Sequence, residues 1–99
     1  MPCRVVIRPS VAAKISQKWK LSDFALVEVN LRLRQELPAD HPKLLRRVRQ
    51  PFDGVVYEFS FVDPEDRLCE HRFIFHVVFS QDEEALIIVN GGYERRSGV

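Results

Sequence analysis

Hydrophobic residues recur along this chain with two different periods, and the period changes near residue 55. Cys3 to Arg8 is rich in β-branched residues and predicts a short strand that Pro9 ends. Ser10 suits the N-cap of a helix in which Val11, Ala12, Ile15 and Trp19 share one face and Lys14, Gln17 and Lys18 take the wet side. Leu21 to Leu37 admits two readings. Ser22 can cap a helix with Leu26, Val29, Leu33 and Leu37 in one stripe, yet Val27 to Arg34 also alternates as a strand would. Length favours the helix, because about 16 residues without a turn signal is long for a strand. Pro38 stops the segment, and Pro42 to Arg49 is one more helical turn or a basic linker.

Beyond Val55 the period is two. Tyr57, Phe59 and Phe61 point one way and Val56, Glu58, Ser60 and Val62 the other. Asp63 to Arg67 reads as a turn, and His71 to Phe79 alternates again with Phe73, Phe75, Val77 and Phe79 on one side. A turn containing Asp82, Glu83 and Glu84 leads to a short apolar strand, Leu86 to Asn90, which Gly91-Gly92 breaks. The expected fold is α+β: a short N-terminal strand, two helices, then an antiparallel three-stranded sheet covered on one side. Placing Val62 opposite Leu68 would put Tyr57 across from Phe73 and Glu58 across from Arg72. Glu58, Arg72 and His76 then share the face away from the core.

Ninety-nine residues, 45% hydrophobic and 29% charged, make one ordinary domain spanning residues 1–99. Apolar runs fall well short of the roughly 20 residues of a membrane span, and no secretory signal is visible. Two cysteines, Cys3 and Cys69, are too few for a disulfide framework, so a cytoplasmic protein with reduced thiols is expected. The net charge of +1 conceals an asymmetry: residues 1–49 carry 11 Lys/Arg against 4 Asp/Glu, and residues 50–99 carry 4 against 10. A basic half can supply phosphate contacts or can be the solvated side of two helices. Arg46, Arg47 and Arg49 form its densest cluster. Cys69 and His71 are spaced as Cys-x-His, which is not a recognised zinc-ligand pair, so no metal is expected.

The element order, with Gly54-Val55-Val56-Tyr57-Glu58-Phe59, His71-Arg72-Phe73-Ile74-Phe75, Leu86-Ile87-Ile88-Val89 and the Tyr93-Glu94-Arg95 ending, resembles the RelE/ParE superfamily of type II toxins. That resemblance implies a toxin neutralised by a cognate antitoxin. In the RNA-cleaving members, the ribose 2′-OH of mRNA on the ribosome attacks the adjacent phosphate, without metal or cofactor. Such a reaction needs a base, an acid and cations around the phosphate. The implied catalytic residues are Arg72, Tyr93, Glu94 and Glu58, with Arg95 beside them as an RNA contact, and the basic cluster Arg46, Arg47 and Arg49, read from charge alone, is the further candidate for RNA binding. Two departures stand out: Ser60 replaces the arginine of the family's "E-L-R" strand, and Glu94 stands where some RNA-cleaving members have histidine. The resemblance therefore also admits the alternative of a ParE-like inhibitor of DNA gyrase, or a catalytically silent module that binds protein.

Overall fold

Pro9 closes strand β1 (Arg4–Ile7) and opens helix α1 (Pro9–Ala13). The computed structural model of the protein describes residues 4–38, 54–80 and 85–97. Arg8, with extended backbone, is the N-cap; Ser10, expected there, lies inside the first turn. A proline at the first helical position needs no amide hydrogen and brings a preset φ, which moves the start upstream. The helix passes into a π-helical turn, Lys14–Lys18, and the segment ends at Lys20, whose φ of 51° is left-handed. Val11 and Ile15 are buried and Trp19 is half-buried; Ala12, expected on the same face, is exposed.

The two readings of Leu21 to Leu37 resolve as helix. Ser22 caps α2 (Asp23–Leu31) by accepting from the Ala25 amide at 3.2 Å, and a π-helical turn, Arg32–Glu36, continues it. Val29, Leu33 and Leu37 are fully buried, and Leu26 is half-buried. The stripe holds the helix in place more than its surface charges do. Each buried aliphatic side chain contributes about 2 kcal/mol, whereas each of the pairs Glu28–Arg32 (3.2 Å) and Arg32–Glu36 (3.4 Å) adds a few tenths.

The sheet is larger than expected, and mixed. Strands β2 (Gly54–Asp63), β3 (Asp66–Ser80) and β4 (Ala85–Ser97) are antiparallel, and β1 joins the edge of β4 in parallel, giving the order β1-β4-β3-β2. Gly91-Gly92 does not break β4, which runs through both glycines: Gly91 pairs with Phe75 and Gly92 with Ile74. A tight turn at Pro64–Glu65 joins β2 to β3, and a register shift beyond Val62 leaves Val62 opposite Glu70 rather than Leu68. The whole pairing is thereby offset by two from the expected one, so Tyr57 faces Phe75 and Glu58 faces Ile74. An offset of two preserves which face each residue occupies.

The core lies between the helices and one face of the sheet, where Phe59, Phe73, Phe75, Val77, Leu86 and Ile88 meet Val11, Ile15, Val29, Leu33 and Leu37. Trp19 closes one end against Phe73, Phe75 and Tyr93, with ring centroids 5.6–6.0 Å apart. A second register shift separates His76 and Val77: Val77 pairs with Ile88 but His76 with Asn90, leaving Val89 as an extra residue in β4. No helix among the described residues is long and apolar enough to cross a membrane.

Candidate functional site

The residues expected to form one site lie on both faces of the sheet. Glu58, Arg72 and Glu94 share the face away from the helices, as expected for the first two. Arg72 pairs in register with Ser60 on one side and Glu94 on the other. It reaches diagonally to Glu58, donating through Nε to Oε1 at 2.8 Å and through Nη2 to the same oxygen. The hydrogen bonds to Glu58 come first in raising the Arg72 pKa, followed by the charges of Glu58, Glu94 and Glu70. Arg96 also points to Glu94, at 3.3 Å. Three carboxylates thus surround two guanidinium groups, a balance that disfavours a polyanion. Beside them Arg72, Ile74, Gly92, Tyr93 and Glu94 line a shallow hollow of about 190 Å³. His76 is half-buried on the same face, opposite Val56 and Asn90.

Tyr93 borders that hollow, but its ring and hydroxyl turn to the other face. The extra residue Val89 shifts the alternation of β4, so that Gly91, Tyr93 and Arg95 continue the helix-facing side begun by Leu86 and Ile88. Tyr93 is half-buried, and its ring stacks on Phe73 at 4.9 Å and on His71 at 5.8 Å. Its hydroxyl lies 2.7 Å from Nδ1 of His71. His71 is buried, and its Nε2 lies 3.4 Å from Asp63 Oδ2 and 3.8 Å from Cys69 Sγ. With Nε2 protonated toward Asp63, Nδ1 presents a lone pair to the Tyr93 hydroxyl.

Asp63 anchors this chain of groups. Its Oδ1 accepts from the Glu65 amide at 3.0 Å, which fixes the β2–β3 turn, and its Oδ2 accepts from the Ser22 hydroxyl at 2.9 Å, which ties that turn to the start of α2. The Glu65 amide, then Ser22, then His71 hold the carboxyl below its ordinary pKa, against an opposing contribution from burial. Burial raises the Tyr93 pKa, assisted by Cys69 and opposed by Arg95. Tyr93 is accordingly a neutral hydroxyl at physiological pH, beside an imidazole and a carboxylate through which a proton can pass.

Arg95, expected to contact RNA, lies on the Tyr93 side of β4 and donates through Nε to Cys69 Sγ at 2.9 Å. Arg46, Arg47 and Arg49, with the segment from Pro42 to Arg49 and the turn Asp82 to Glu84, lie outside the described residues. No group of three His, Cys, Asp or Glu side chains among the described residues is arranged to hold a metal. The sequence motifs assign neither Asp63 nor His71 to a site. A signal was present: both fall in register with the aromatic stripes, Asp63 with Phe59 and Phe61, and His71 with Phe73 and Phe75. A charged or titratable residue in an apolar register marks a buried polar network. No family model, no curated protein and no solved structure matches the chain.

Proposed function

We propose that the chain is a cytoplasmic toxin of RelE/ParE-like architecture, controlled by a cognate antitoxin, that acts by contact with a protein such as DNA gyrase. Support for the architecture comes from the motifs and from the order of strand, two helices and antiparallel strands. Support for protein contact over RNA cleavage rests on one observation: Arg72 and Tyr93 occupy opposite faces, with Arg72 already engaged by Glu58 and flanked by Glu94. A phosphate approaching Arg72 would have to displace one carboxylate and pass others, and it would find no Tyr93 hydroxyl there to act as acid or base.

Induction of the chain alone in a bacterium tests this. Growth should stop, transcripts should stay intact, a DNA-damage response should rise, and the purified protein should inhibit gyrase supercoiling. Absence of any growth effect would sink the toxin reading. Cuts inside codons of ribosome-bound mRNA, lost in Arg72→Ala, would restore the open-face ribonuclease that the resemblance implies.

A second reading is favoured by the 2.7 Å contact between Tyr93 and His71. RNA cleavage on the helix-facing side would use Tyr93 for proton transfer, His71 and Asp63 to relay the proton, and Arg95 for the phosphate. Its signature is cleavage that Tyr93→Phe lowers by about 10²-fold or more and Arg72→Ala leaves intact.

A further inference from the structure

Among the described residues, β2 forms one edge of the sheet and pairs only with β3. From Val56 to Val62 it reads Val-Tyr-Glu-Phe-Ser-Phe-Val, which is symmetric in residue character about Phe59. Two such strands laid antiparallel, with Phe59 at the two-fold axis, place Val56 opposite Val62, Tyr57 opposite Phe61 and Glu58 opposite Ser60. Valine meets valine, aromatic meets aromatic and the one carboxylate meets a hydroxyl, so no like charges face each other. The segment also lacks the lysine or proline with which edge strands commonly refuse a partner, and its only charge, Glu58, is taken by Arg72.

The surface beside this edge is apolar on both sides. On the open face Val56 and Val62 are 52% and 49% exposed. On the helix side, α2 rides over β2: Phe24 meets the Phe61 ring edge-on at 5.7 Å, and the Arg32 guanidinium sits 5.3 Å over Phe59. The outer side of α2 shows Phe24, Val27 and Leu31, one stripe at helical spacing, with Val27 65% exposed. The self-complementary strand provides the backbone pairing of an isologous interface, and the exposed Val56, Val62 and Phe24 beside it provide apolar contact.

We propose that the chain forms a two-fold homodimer in which the β2 strands of two copies pair antiparallel about Phe59, joining two four-stranded sheets into one. This does not depend on the toxin reading.

The oligomeric state of the full chain in solution, measured by light scattering and sedimentation, tests it. The wild type should have twice the chain mass. V56K/V62K and V56E/V62E, each altering two exposed side chains, should be monomers with unchanged circular dichroism, and an equimolar mixture should recover the dimer because each lysine then faces a glutamate. Independently, a mixture of V56C and V62C chains should yield a disulfide-linked pair under mild oxidation. A monomeric wild type, a dimer that survives the lysine substitutions, or charge variants that fail to associate on mixing would each overturn the proposal. So would an edge that pairs only with a different polypeptide.

Discussion

Arg72 and Tyr93 stand on adjacent strands of one sheet and face in opposite directions. Arg72 lies opposite Glu94 and reaches Glu58, while Tyr93, one residue before Glu94, lies opposite Phe73 and bonds to His71. The two residues therefore belong to different chemical environments. Arg72→Ala removes an exposed ion pair, a type of contact that contributes little to folding. Its thermal melt should stay close to that of the wild type. Tyr93→Phe keeps the ring and loses the bond to His71, and should lower stability to denaturant by about 1 kcal/mol.

Ser22 serves two elements through one oxygen, capping α2 and donating to Asp63. Ser22→Ala should cost about 1 kcal/mol from the cap alone, with a further loss from the released carboxylate. Ser22→Asp restores a capping group but sets one carboxylate against another. It should remain less stable than wild type at neutral pH and recover as acid protonates the pair. Urea midpoints at neutral and acid pH measure both effects.

Asp63 is held in its charged form by the Glu65 amide, Ser22 and His71, so its folded pKa lies below its unfolded one. The associated stability is complete above the unfolded value of about 3.9 and is lost as pH falls through the lower folded value. In Asp63→Asn this acid-dependent component should vanish. The variant should be weaker at neutral pH, with a flatter acid limb in a series of denaturation curves.

Tyr93 titrates in the opposite sense, because burial disfavours its phenolate. Its contribution is complete below the unfolded value of about 10 and is lost as pH rises through the raised folded value. The phenolate absorbance of the wild type minus that of Tyr93→Phe should show a group ionising later than a free tyrosine.

The adjacent glycines should respond differently to alanine. A Cβ on Gly91 would lie 2.8 Å and 2.9 Å from Cδ1 and Cε1 of the buried Phe75 and 3.3 Å from Cη2 of Trp19, whereas one on Gly92 meets nothing within 4 Å. Gly91→Ala should cost about 1–3 kcal/mol, and Gly92→Ala should be nearly neutral, as read by thermal melting.

Elements formed by alternation or by a helical stripe are legible in the amino-acid pattern. Phe59, Phe73 and Phe75 face the core as their register requires, and Val29, Leu33 and Leu37 make the ambiguous segment a helix because burial of that stripe outweighs the alternating pattern. Pairing across long sequence distances is not legible. Nothing local to Arg4–Ile7 says that it will lie beside Ala85 to Ile88. The register of β2 and β3 differs by two from the expected one because the shift beside Val62 leaves no mark in an apolar/polar pattern. The candidate site is the least legible part. Its residue types stand out, but the sidedness of Tyr93 depends on Val89, and the Asp63–His71 network depends on a turn meeting a helix start.

Val89 acts as a phase element in the strand. Upstream of it the even-numbered residues Leu86 and Ile88 face the helices, and downstream the odd-numbered Gly91, Tyr93 and Arg95 do. Removing this one residue would only straighten the strand, with Asn90 still opposite His76 and Tyr93 still opposite Phe73. Taking Val89 into the ladder opposite His76 would instead slide every later residue by one and carry Tyr93 and Arg95 to the face of Arg72. The bulge, rather than the order of residue types, thus decides which surface carries Tyr93 and which carries Glu94, and absorbing it into the ladder would exchange the two without touching the aromatic core of β2 and β3.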